Sequence, residues 1–140
     1  MERMFRKYWF TVTHWKVFTK WKRFARFNSF FFETSEEIPT ANYVYRVLMG
    51  MGERGLLKQF KAILVGRPKA WEFDRPYTLE EKVDYKRKQQ EVIKKAVNEC
   101  NPTGLIVFNL DFGHTDPQFI MPNGGKIKIN RLNKKIILYY

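Results

Sequence analysis

A single cysteine, Cys100, stands in these 140 residues. It excludes an intramolecular disulfide and any cage built from several thiolates, and it fits a reducing cytoplasm. Long uncharged apolar runs are also missing, so no segment is expected to cross a bilayer. No apolar stretch is followed by a small-residue cleavage site of the secretory kind. The reading is therefore a soluble, cytoplasmic chain. At this length it holds one ordinary core, so one domain with an appendage is expected. Histidine is nearly as scarce, with His14 and His114 alone.

What is abundant is positive charge, at +12 net, and it is unevenly spread. In residues 1–28, Arg3, Arg6, Lys7, Lys16, Lys20, Lys22, Arg23 and Arg26 face one acid, Glu2. Elsewhere the excess is moderate, and Lys82, Lys86, Lys88, Lys94 and Lys95 read as a solvated helix face. An aromatic recurs at every third position in Trp15, Phe18, Trp21, Phe24 and Phe27. A helix turns about 100° per residue, so this spacing walks round the cylinder and builds no single apolar stripe. Strand alternation is absent as well. Three readings stand for the extension: single-stranded nucleic acid bound by stacking and phosphate contact, an anionic membrane interface, or a poorly packed segment that is no natural domain start.

Beyond residue 28 the pattern becomes regular. Residues 29–34 read as a buried strand running into polar residues. Pro39 opens a helix with Val44, Val47, Leu48 and Met51 at helical spacing, and Gly50, Gly52 and Gly55 help to stop it. Residues 60–65 form the next strand, ending at Gly66-Arg67-Pro68, and residues 69–77 a loop. Thr78-Leu79-Glu80-Glu81 is a capping box for a long helix to about Cys100, with Ile93, Ala96, Val97 and Cys100 on its apolar face. Asn101-Pro102-Thr103-Gly104 breaks it before a third strand, residues 105–110. Residues 119–121, 126–129 and 135–139 read as short strands, the last two joined by a turn at residues 130–133. The order predicts an α/β domain over residues 29–140, with parallel central strands and a β-hairpin tail.

In such a sheet the carboxyl ends of the strands share one edge, where sites form. Glu33 follows the first strand. His114 follows the third, in the turn Asp111-Phe112-Gly113-His114-Thr115-Asp116-Pro117. Histidine titrates near neutrality, so one at a strand end is a proton-transfer group in waiting. A carboxylate that fixes its tautomer would complete an acid–base pair. Spacing alone leaves Glu36, Glu37, Asp111 and Asp116 as rivals to Glu33, and a turn histidine bonded to nearby backbone as the structural alternative. His14 has no visible partner.

Three motifs in order, Phe32-Glu33-Thr34-Ser35-Glu36-Glu37, Ile63-Leu64-Val65-Gly66-Arg67-Pro68 and the His114 turn, resemble the C-terminal half of the LD-carboxypeptidase and microcin-immunity family of serine peptidases. Phe119-Ile120-Met121-Pro122 and Gly124-Gly125 before a closing hairpin are similar to that family's C-terminal end. The resemblance implies a small swivelling α/β domain of a cytoplasmic Ser-Glu-His hydrolase that uses no metal and no other cofactor. It implies cleavage of amide bonds near a free carboxylate, in murein peptides or peptidyl-nucleotide antibiotics. Glu33 then corresponds to the triad carboxylate and His114 to the triad base. The wording around Glu33 and Gly66-Arg67-Pro68 looks closer to the microcin-immunity branch.

The family's nucleophile belongs to a Gly-rich turn of a separate N-terminal domain that also supplies the oxyanion hole. Here Ser29 and Ser35 are the only serines and both flank the carboxylate strand, with no Gly-x-Ser-x-Gly elbow. The expectation is a truncated or split hydrolase, inactive by itself, whose serine comes from another polypeptide. An orphaned apolar interface would favour a homodimer or aggregation. The alternative is a noncatalytic module or a degenerate remnant whose basic aromatic arm meets nucleic acid or membrane.

Overall fold

The computed structural model describes residues 29–72 and 74–140. The basic extension lies outside the described residues, and with it His14 and the aromatic repeat.

Three parallel strands form the central sheet in the order β1 (Ser29–Phe32), β2 (Ala62–Gly66), β3 (Leu105–Leu110). Helix α1 (Ala41–Glu53) joins β1 to β2, and α2 (Leu79–Cys100) joins β2 to β3. Both crossovers step the same way across the sheet, and right-handed crossovers then place both helices on one face. Their shared core agrees: Phe32, Ile63 and Val65 meet Val44 and Leu48 of α1 and Ile93, Ala96 and Val97 of α2. Each large side chain so removed from water contributes roughly 1.5–3 kcal/mol. As the central strand, β2 is buried along its whole length, which explains five consecutive residues with no polar side chain. On the opposite face Phe31 packs edge-on against Phe112, and Phe112 in turn against Phe119. The chain ends in an antiparallel hairpin of β4 (Lys126–Asn130) and β5 (Lys135–Tyr139), with lysines exposed on β4 and its isoleucines half-buried. The α/β class with a parallel centre and a hairpin tail is the one adopted.

Local chemistry sets the boundaries. Thr40, not Pro39, caps α1, its hydroxyl accepting from the Tyr43 N–H at 3.2 Å. The helix runs on through Gly50 and Gly52, two glycines expected to help stop it. Gly52 serves packing instead, because a methyl there would overlap the Cys100 side chain of α2. The capping box of α2 forms as the sequence predicts: Thr78 Oγ1 accepts from the Glu81 N–H, and the Glu81 carboxylate accepts from the Thr78 N–H at 2.8 Å. On the solvated face, Arg87 bonds Asp84 and Glu91, and Lys88 pairs with Asp84. Residues 119–121 are no strand. Phe119 donates its N–H to the Asp111 carbonyl at 2.7 Å, a loop bond that takes it out of any ladder. Among the described residues no helix is long and apolar enough to cross a membrane.

Between the sheet and α2 lies a buried polar contact. Gln89, fully buried, donates from Nε2 to the Pro39 carbonyl at 2.6 Å, and the Tyr85 hydroxyl donates to the same oxygen at 3.2 Å. Burial pushes the Tyr85 phenol up to about 12, so it stays a donor throughout the physiological range. These two bonds hold the end of the segment that leaves β1.

Removing the α2 cap by Thr78→Ala is expected to cost about 1 kcal/mol of stability in urea unfolding. The hydrogen bond from the Thr78 backbone holds the Glu81 carboxyl below its ordinary range. Its stabilisation is therefore present above the unfolded-state value and lost as pH falls through the lowered native one. The Tm difference between the wild type and Glu81→Gln, present at pH 7, closes in acid; a difference unchanged down to pH 2 would contradict this assignment.

Candidate active site

β1 leaves the ladder after Phe32, which pairs with Val65, so Glu33 is the first residue free of strand pairing. The chain then turns sharply, with Ser35 and Ile38 at positive φ. The end of β3 is redirected by a bulge. Leu64 pairs with Val107 but Gly66 with Leu110, so two steps along β2 match three along β3. The extra residue is accommodated at Asn109, at φ 60°, in the left-handed region that asparagine tolerates better than most side chains. Gln90 of α2 donates to the Asn109 side-chain oxygen at 3.0 Å. The bulge sends Asp111 to Asp116 back over the carboxyl edge of the sheet.

There Glu33 and His114 meet. His114 Nδ1 lies 2.6 Å from Glu33 Oε1, and the His114 backbone N–H donates to Oε2 at 2.9 Å. Both carboxylate oxygens are thus engaged by one residue, 81 positions away in the chain. Glu33 is buried, with a side chain 9% exposed, whereas the His114 side chain is 37% exposed. A carboxylate taken out of water without donors costs several kcal/mol, so two short hydrogen bonds are the condition for its burial. The bond at Nδ1 fixes the tautomer and leaves Nε2 as the nitrogen for exchange of a proton.

Two glycines make room for this approach. Gly113 has φ 103°, and a methyl on it would overlap the Glu33 carboxylate. At Gly66 a Cβ would stand 2.7 Å from the Phe112 carbonyl and 3.2 Å from Glu33 Cβ. Beneath the turn, Phe112 is 3% exposed and seats the loop on the sheet.

Two of the rival carboxylates, Asp111 and Glu36, face cations elsewhere, whereas Asp116 and Glu37 are bonded through their backbone. Asp111 pairs with Arg67, and the Asp116 carbonyl accepts from Arg67 Nη1 at 3.2 Å. Glu36 is exposed, 4.0 Å from Lys69 Nζ, and the Glu37 N–H donates to Ser35 Oγ at 3.4 Å. Ser29 begins β1, at the opposite end of the strand from the Glu33 side. Neither serine is bonded to His114 among the described residues. Nor do the described residues contain a cluster of three or more His, Cys, Asp or Glu side chains fit for a metal ion.

The sequence pointed to Glu33 and His114 but not to what seats them. Asn109 was legible as the one polar residue in an apolar run; the roles of Gly66 and Arg67 required the register. Gly113→Ala is expected to separate Glu33 from His114 while leaving the sheet intact. The His114 amide should then exchange with solvent at least ten times faster in NMR, with Ile63 and Leu64 still protected; an unchanged His114 rate would refute this account of the glycine.

The chain matches the model of the LD-carboxypeptidase C-terminal domain over residues 14–129. No curated protein matches it. The match begins before β1, inside the basic extension, and ends within β4. It spans both strand ends, the bulge and the histidine turn described above. By that match the chain belongs to the LD-carboxypeptidase family and carries its C-terminal domain.

Proposed function

We propose that this domain supplies the acid–base half of a Ser-Glu-His peptidase site. Glu33 orients the His114 ring through Nδ1, and Nε2 accepts the proton of a serine hydroxyl as that oxygen attacks the substrate carbonyl. His114 then passes the proton to the leaving amine, and a water repeats the cycle to release the acyl group. The carboxylate stabilises the imidazolium that forms between these steps. The single observation behind the reading is the two-point grip of His114 on a buried Glu33, an arrangement that fixes ring orientation more tightly than a turn histidine requires.

The serine and the oxyanion donors come, in this proposal, from outside these 140 residues, on a partner N-terminal domain. Neither Ser29 nor Ser35 is placed against the ring. The substrate class is that of the family resemblance: a peptide amide beside a free carboxylate, of murein or peptidyl-nucleotide type, with the microcin-immunity type preferred. Without the oxyanion donors, even the residual acceleration that survives loss of a triad member disappears.

The test mixes the chain with a serine-bearing N-terminal domain of the family and follows peptide hydrolysis. The chain alone should give none, the mixture should give turnover, and His114→Ala should abolish it. Glu33→Gln should lower kcat by roughly 10²–10⁴, because the ring keeps a neighbour but loses its charge partner. Hydrolysis unchanged by His114→Ala would end this assignment.

A further inference from the structure

Arg67 follows β2 directly and makes three bonds to the segment that carries His114. Its backbone N–H donates to the Leu110 carbonyl at 2.9 Å, fixing the strand end. Its Nη2 is paired with the Asp111 carboxylate, and its Nη1 donates to the Asp116 carbonyl at 3.2 Å. Asp111 and Asp116 are the two shoulders of the turn, and His114 sits between them. One planar guanidinium therefore closes the turn like a clasp, anchored on the central and most buried strand.

We propose that Arg67 is a positioning residue for the Glu33–His114 pair. The turn bends through Gly113, which by itself leaves the backbone free to choose other conformations. Its contact with Glu33 restrains only the His114 position. Tying residues 111 and 116 to a common point removes the freedom that would let the ring swing away from the carboxylate. The fork geometry matters here, because two nitrogens held apart in a fixed plane reach two separate acceptors, whereas an ammonium donates from a single nitrogen. Both terminal nitrogens are already engaged and the charge is matched by Asp111. A substrate carboxylate would therefore compete with Asp111 for the charge of this guanidinium.

The inference rests on the reading of Glu33 and His114 as the acid–base pair, and its test separates the two. In the chain alone, NMR would follow solvent exchange of the His114 amide and of its ring Nδ1–H, with Arg67→Lys as the variant. Both are expected to exchange at least ten times faster, with Ile63 and Leu64 unaffected. Asp111→Asn, which keeps the acceptor oxygen without its charge, should give a smaller rise in the same direction, and it serves if Arg67→Lys does not fold. Unchanged His114 exchange overturns the proposal, as does a loss of protection shared by Ile63 and Leu64, which would make Arg67 a general stabiliser. In the serine-complemented assay, Arg67→Lys should lower kcat ten- to hundred-fold with KM within twofold. A raised KM with kcat preserved would instead make Arg67 a substrate anchor. If His114→Ala left hydrolysis intact while Arg67→Lys still freed the His114 amide, the acid–base reading would fall and the clasp would stand.

Discussion

The burial of the Glu33 carboxylate is the constraint on which this structure turns. A charge withdrawn from water must be met by donors, and here His114 provides both. That requirement links the first strand to the loop after the third, across the central strand between them. The two glycines, the bulge at Asn109 and the seating of Phe112 are all conditions for bringing the histidine close enough. They decide whether it is held in place.

The core and the site divide the sheet between them. Along β2, Ile63 and Val65 face the helices, while the strand's carboxyl end narrows to Gly66 and then releases Arg67 into the loop. The helices contribute to the site at a distance: Gln89 and Tyr85 hold Pro39 at the end of the segment that leaves Glu33, and Gln90 holds Asn109 at the bulge. Helix α2 thereby steadies both loops from one side. In the proposed role, with Glu33 and His114 as orienting carboxylate and base for a serine from another domain, that rigidity matters, because the geometry must be ready before the serine arrives.

The region matched to the LD-carboxypeptidase C-terminal domain contains every element that builds the pair. Family likeness alone does not hold a ring on a carboxylate. The physical account lies in the register shift, the left-handed Asn109 and the glycine that admits the carboxylate.

By itself the sequence determined the element types and much of the order. The capping box at Thr78, the apolar face through Ile93 and Cys100, and the unbroken apolar run of β2 are local patterns, and local physics is enough to decide them. It also narrowed the chemistry to one histidine and a few carboxylates. Spacing left several carboxylates open and the family resemblance singled out Glu33; tertiary structure brought Glu33 to His114 and gave Asp111 to Arg67. It also withdrew residues 119–121 from the strands, since a bond to Asp111 competes there with a ladder. Spacing along a chain carries no record of such competition; it is settled only when separate strands share an edge.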